Sequence, residues 1–160
     1  MVQIKEKATI GRVELVTFPG LIDEKIHARI DTGAKKSAIW ASKAEVVDGV
    51  LRVIFFDKGI VGYTGDVVTF DEYGSTVIAS SNGHTEQRYT IKLTVRVGGR
   101  RIKATFTLAD RSTQVYPILI GRNVLHKKFI VDVQLGQPLA SKEKARSDEL
   151  KETLTKEEIV

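Results

Sequence analysis

The sequence predicts an all-β domain, a barrel or a sandwich of about eight short strands. Three observations carry the prediction. Apolar and polar residues alternate at a period of two in several runs. Turn residues recur at short intervals between those runs. A shift to charge-rich composition is confined to the stretch from Ser141 onward.

The 160 residues suit one domain, large enough to bury a core. With 42% hydrophobic and 28% charged residues, the composition is that of a globular protein, which excludes disorder throughout. The chain has no cysteine, so disulfides, thiolate metal sites and a cysteine nucleophile are ruled out. Met1 to Thr17 alternates charge with single apolar residues and lacks the apolar core of a signal peptide. No later run is long enough to span a bilayer, so a cytoplasmic location without membrane partners is expected. The net charge of +5 fits a solvated surface or attraction to an acidic partner. Aromatics are only 7%, and no arginine-rich run interleaves with them, so nucleic acid is not an expected partner.

Ile10 to Phe18 reads as a strand that Pro19-Gly20 ends. Lys25 to Ile30 sets Ile26, Ala28 and Ile30 on one face, so a half-buried strand delivers Asp31. Ser37 to Ser42 is a further short strand or turn. Leu51 to Phe56 is a strand broken by glycines on its C-terminal side. Val67–Phe70 and Ser75–Ser80 flank Asp71-Glu72-Tyr73-Gly74 as a candidate hairpin, and Ser81 to His84 is loop. The clearest hairpin joins Ile91–Val97 to Ile102–Leu108 through Gly98-Gly99. Tyr116 to Ile120 is a short apolar run, Arg122 to Lys128 allows one or two helical turns, and Phe129 to Val133 is a last strand. The domain is expected over residues 1–136, with 137–160 a charged tail, flexible or a short helix.

Two stretches carry chemistry. Asp31-Thr32-Gly33-Ala34 places a carboxylate, a hydroxyl and a glycine at a strand end, a pattern that also describes an ordinary turn. Ile118-Leu119-Ile120-Gly121-Arg122-Asn123-Val124-Leu125 follows about ninety positions later; its glycine lets a strand pass tightly against another loop. In this order and spacing, the pair resembles the two signatures of retroviral-type aspartic proteases, the retropepsins. The resemblance implies a closed acid-protease β-barrel with a short helix after the second motif. It also implies a catalytic Asp31, an active-site loop of Thr32, Gly33 and Ala34, and a supporting ψ-shaped loop of Ile120, Gly121 and Arg122.

A narrower similarity covers His27 to Ala34 with Ser37, Ser80-Ser81-Asn82-Gly83 with Glu86 to Tyr89, Leu108 to Ser112, and Tyr116 to Arg122. These stretches resemble the bacterial and archaeal retropepsin-like branch that has carried the label of an ATP-dependent zinc protease. The residues do not support that label. There is no His-Glu-x-x-His; His27, His84 and His126 are isolated in sequence, and no phosphate-binding Gly-x-x-x-x-Gly-Lys-Ser/Thr occurs. No metal and no cofactor are expected.

Aspartic proteolysis needs two carboxylates sharing a proton, because two like charges that close do not both ionise. The chain has one Asp-Thr-Gly. Asp48-Gly49 lacks the threonine, and Asp57-Lys58-Gly59 carries lysine in its place. The chemistry therefore demands a homodimer with Asp31 from both copies at the axis, where the resemblance implies that the Thr32 hydroxyls brace the two loops. The flap over the substrate is expected at Val67–Ser80, with Tyr73 near its tip. Glu86 and Arg88 form an ion pair or contact substrate. Retroviral enzymes follow the first motif with an acidic residue that pairs with the arginine of the second. Here Lys35 and Lys36 follow, so Arg122 needs another partner, and the lysines favour acidic peptides. The branch is associated with enzymes that add glutamate tails, so an acidic or glutamate-rich protein segment is the expected substrate of an aspartic endopeptidase. The alternative is an inactive protein-binding module, an adaptor for a glutamate ligase. An RNA-binding barrel ranks below both.

Overall fold

The computed structural model describes residues 6–79 and 83–158. The expectations for Met1 to Lys5, Ser80 to Asn82, Ile159 and Val160 lie outside the described residues. In chain order the elements are β1 (Ala8–Ile10), β2 (Val13–Phe18), β3 (Ile22–Ile30), β4 (Ser37–Val47), β5 (Val50–Phe55), β6 (Val68–Phe70) and β7 (Gly74–Ala79). Then come β8 (Thr85–Val97), β9 (Arg100–Ala109), β10 (Ile118–Ile120), α1 (Arg122–Leu125), β11 (Phe129–Val131) and α2 (Ala140–Glu158).

The strands close into a barrel. β10, β3, β2, β8, β9 and β4 are neighbours in that order, and β4 pairs back onto β10. β5 and β6 extend the sheet from β4, β7 pairs with β8, and β1 pairs in parallel with β11 beside the barrel. Period-two alternation in the sequence becomes inside and outside. Ile26, Ala28 and Ile30 of β3 are buried, as are Ile91, Leu93, Val95 and Val97 of β8, while Lys92 and Arg96 face out. Phe18, Ile39, Phe106, Ile118 and Ile120 are fully buried, with the Phe18 and Phe106 rings edge to face at 5.5 Å. Each such side chain contributes about 1.5–3 kcal/mol of hydrophobic stabilisation.

The Gly98-Gly99 turn forms as expected. Both residues have positive φ (56° and 77°), the twist that a two-residue hairpin needs. A second hairpin of this kind was not anticipated: Asp48 (φ 51°) and Gly49 (φ 77°) turn β4 into β5, so β4 runs on to Val47.

The candidate hairpin Val67–Ser80 is corrected. β6 pairs with β5, whereas β7 pairs with β8 from Gly74↔Thr90 to Ala79↔Thr85. Asp71 to Tyr73 carry the chain from beside β5 to beside β8 rather than turning it back on β6. β6 stays with β5 because Phe70 packs edge to face on Phe55 at 6.3 Å. Where β7 starts, opposite Thr90 of β8, Gly74 leaves room for the threonine side chain: a Cβ there would lie 2.8 Å from Thr90 Oγ1. Among the described residues no helix is long and apolar enough to cross a membrane.

Candidate active site

β10 lies between the strand that enters the Asp31 loop and the strand that leaves it. It runs parallel to β3 (Ile118↔Ala28, Ile120↔Ile30) and antiparallel to β4 (Ile118↔Ile39, Leu119↔Ala38). From there the second motif holds the loop at both ends. Asp31 N–H donates to Ile120 O at 2.9 Å, Arg122 N–H to Ala34 O at 2.8 Å, and Asn123 N–H to Lys35 O at 3.2 Å.

Two small groups make this proximity feasible. A Cβ on Gly121 would run into the Lys36 carbonyl and come within 2.8 Å of Ala34 O. The buried Ser37 hydroxyl accepts from Gly121 N–H at 2.9 Å and donates to Asn123 Oδ1 at 2.6 Å. Asn123 Nδ2 in turn donates to Thr105 O at 2.9 Å, tying α1 to β9. Among the described residues, no buried side-chain polar atom at this crossing lacks a partner.

Asp31 itself is half-buried at the end of β3. Its Oδ1 accepts from Gly33 N–H at 2.9 Å, and its carbonyl accepts from Ala34 N–H at 3.3 Å, which makes a tight loop. No other described residue hydrogen-bonds the carboxylate, so its second oxygen is open to an incoming group. Thr32 and Gly33 are exposed. Arg122, left without the acidic partner of the retroviral pattern, donates from Nη1 to Thr32 O at 3.2 Å instead. A backbone carbonyl has taken the carboxylate's place.

The residues expected to contact substrate divide into groups. Lys35 and Lys36 are exposed beside the loop, and Lys36 Nζ donates to Thr76 Oγ1 at 3.0 Å. That bond ties β7, the second half of the stretch expected as the flap, to the Asp31 loop, and β7 is paired with β8 rather than with β6. Glu86 and Arg88, two apart on β8, form an ion pair at 3.4 Å, and Arg88 Nε is buried without a hydrogen-bond partner. Tyr73 lies off the hairpin. Its hydroxyl donates to Gly49 O at 3.3 Å, and its ring meets Tyr89 edge to face.

Sequence reasoning gave no role to Arg29 or Arg111. Arg29 is exposed two residues before Asp31, hence on the same side of the strand. Arg111 is half-buried in the loop after β9, where its Nε donates to Tyr116 O at 2.9 Å. Burial lowers the Arg111 pKa, repulsion from Arg29 and Arg88 adds to this, and Asp31 opposes it. The strand register would have found Arg29; only the fold brings Arg111 beside it.

α2 is anchored at its first turns. Glu143 receives two hydrogen bonds from the Arg12 guanidinium (2.9 and 3.0 Å) and one from the Tyr116 hydroxyl (2.8 Å), which itself accepts from Leu139 N–H at 2.9 Å. The Arg12 hydrogen bonds hold the Glu143 carboxyl below its ordinary range, and burial raises the Tyr116 phenol. Among the described residues no group of three His, Asp or Glu side chains converges as a metal site requires.

A closed barrel whose β10–α1 segment grips an Asp-Thr-Gly loop between two strands defines the retropepsin-like class. The model of the family described as "Retropepsin-like aspartic endopeptidase RimB" matches residues 9–137, and the chain belongs to that RimB-like family. Probable alpha-L-glutamate ligases of Shewanella pealeana and Shewanella halifaxensis are each 32% identical to it over 130 residues, covering 79% of this chain and 28% of theirs. A probable alpha-L-glutamate ligase of Desulfotalea psychrophila is 29% identical over 156 residues, covering 95% of this chain and 33% of its own. The chain thus spans a third or less of these relatives. A crystal structure of a Legionella pneumophila protein of unknown function shares the fold, with 23% identity, a TM-score of 0.64, and coverage of 82% of this chain and 97% of that one.

Proposed function

We propose that two copies of this chain form an aspartic endopeptidase, with the paired Asp31 carboxylates activating a water at the dimer axis. One observation carries the reading: Asp31 sits in a loop locked by Ile120, Gly121 and Arg122, with one carboxylate oxygen engaged by Gly33 N–H and the other open. A single carboxylate is half of the chemistry, so the partner's Asp31 supplies the rest. The ionised carboxylate takes a proton from water as its oxygen attacks the peptide carbonyl carbon. The protonated one gives its proton to the carbonyl oxygen. Collapse of the tetrahedral species breaks the C–N bond, and the amine leaves with a proton from the dyad. The exposed Thr32 hydroxyls brace the two loops across the axis, and the β7–β8 hairpin of each copy covers the substrate.

Acidic, glutamate-rich segments are the substrate class that the site's charge favours. Exposed Lys35 and Lys36 flank the loop, the chain is net positive, and its curated relatives are named glutamate ligases. The same relatives favour a second reading, an inactive adaptor that docks on such a ligase. Cleavage of a peptide library by wild type and Asp31→Asn, with sedimentation velocity at assay concentration, separates the two. The endopeptidase is a dimer whose activity falls by about three orders of magnitude in Asp31→Asn without loss of fold. Equal activity in the two proteins, or a wild type that cleaves nothing, sinks the reading.

A further inference from the structure

The outer face of the β8–β9 hairpin carries a run of cations without counter-charges. Lys92 and Arg96 on β8 and Arg101 and Lys103 on β9 are exposed, and none of these side chains has a hydrogen bond or ion pair with a described residue. The register sets them side by side. Arg96 stands directly opposite Arg101, and Lys103, opposite Thr94, is the diagonal neighbour of both Arg96 and Lys92. Thr94 and Thr105 fill the positions between them, while the alternating Leu93, Val95 and Ile102 are buried on the other side of the sheet. The face therefore offers cations and hydroxyls and no apolar side chain. At one end Lys92, Lys103 and Thr105 line a cavity of about 690 Å³ whose other wall holds Asp71 and Glu72, and no residue of the Asp31 loop lines it. At the other end the partner of Arg96 on β2 is Thr17, so no acid faces the arginines across the strands.

Like charges directly opposite each other weaken a sheet, so the Arg96–Arg101 pair is a cost that the fold itself does not repay. A polyanion offsets it, and the composition of the face selects which. Protein interfaces carry an apolar or aromatic centre, and bilayer surfaces take up apolar side chains; this face has neither. Single-stranded nucleic acid stacks its bases on aromatic rings, which are absent here too. The low aromatic content that spoke against nucleic acid in the sequence thus excludes stacked single strands and leaves a duplex, whose phosphates are held by Lys, Arg and hydroxyl groups alone. Lys92 and Arg96 are about 14 Å apart along β8. A duplex carries one charge per about 1.7 Å of its axis, so each cation on the face meets a phosphate. We infer that the outer face of the β8–β9 hairpin binds the phosphate backbone of a nucleic-acid duplex. Contacts of this kind carry no sequence information.

The surface goes beyond the endopeptidase reading and does not depend on it. The probes are fluorescein-labelled duplexes of about 16 base pairs, RNA and DNA, each in two unrelated sequences. Anisotropy with the full chain is followed between about 50 and 200 mM salt. Four phosphate contacts give a salt slope of about −3.6, hence a loss of affinity of roughly a hundredfold across that range. Arg96→Gln/Arg101→Gln is expected to weaken every duplex about tenfold or more and to flatten the slope by about two. Its Tm is expected not to fall, because the like charges no longer face each other. Lys92→Gln/Lys103→Gln, which keeps the arginine pair, is expected to act in the same direction and decides the matter should the first variant unfold. Lys142→Gln/Lys144→Gln removes the same charge from exposed positions of α2 and is expected to weaken binding less than about twofold. No binding at the low-salt end, an unchanged slope in both hairpin variants, or equal weakening by the α2 control overturns the assignment. So does a preference of more than about tenfold for one sequence, or displacement of the duplex by an octaglutamate peptide or by anionic lipid vesicles at matched charge.

Discussion

Gly121 and Lys36 are packed so closely that the hydrogen of glycine is the largest group that fits between them. A Cβ at Gly121 would overlap the Lys36 carbonyl. The Gly121 backbone is extended (φ −101°), so its requirement is space and not conformation. This contact lets β10 enter between β3 and β4 and so fixes the Asp31 loop.

Gly121→Ala is therefore expected to cost about 3 kcal/mol or more, because the clash is with backbone that cannot rotate away. In a domain of this size that lowers Tm by about 6–12 °C. Gly99→Ala is the comparison. Its Cβ meets nothing, but φ of 77° strains a side chain, and the expected cost is about 1–2 kcal/mol. Thermal unfolding of both proteins checks the order, and similar Tm values would show that the β10 crossing yields easily.

The Ser37 hydroxyl is the second prediction. It links Gly121 N–H to Asn123 Oδ1 in a fully buried position. Ser37→Ala leaves a buried N–H without an acceptor, with an expected loss of about 1–3 kcal/mol. Ser37→Ala and Asn123→Ala share one network, so the double variant should lose less than the sum of the singles. Urea denaturation of the four proteins in the cycle measures this, and strict additivity would argue against a network.

The fold was legible in the sequence wherever a rule of local chemistry was also the rule of the fold. Ile91 to Val97 and Ile102 to Leu108 alternate because one face of each strand fills the barrel, and Gly98-Gly99 turns them for reasons contained in two residues. The loop and its support were legible as a pair of motifs, although their roles came from family resemblance. Pairing between distant strands was less visible. Asp71 to Gly74 has turn composition, yet the chain there passes from one strand partner to another, because Phe70 finds Phe55 and Gly74 finds Thr90. Asp48-Gly49 is a strong hairpin signal that attention to the missing threonine obscured. Arg111 and Glu143 lie in stretches whose composition says only loop and charged tail. Their partners, Arg29 and Arg12, are far away in sequence.

Glu143 leads to the third prediction, on pH. α2 is a highly charged helix of 19 residues whose anchor is this one carboxylate, and an undocked helix of that length is marginal in water. The Arg12 hydrogen bonds lower the folded-state pKa of Glu143 below its ordinary 4.5. A lowered carboxylate contributes its stability above the unfolded-state pKa and loses it as pH falls through the folded one. Docking of α2 is therefore complete at neutral pH and weakens below about 4.5 as Glu143 takes up a proton. Circular dichroism at 222 nm reports it, because α2 is the only long helix among the described residues. The expected result is a loss of helical signal in acid, before the barrel unfolds, and a smaller signal already at pH 7 in Glu143→Gln and Arg12→Met. The neutral glutamine keeps the shape of the side chain but gives Arg12 no charge, so its signal should be flat through the range in which wild type titrates. If the variants lose signal in acid as wild type does, something other than the Arg12–Glu143 pair holds the helix to the barrel.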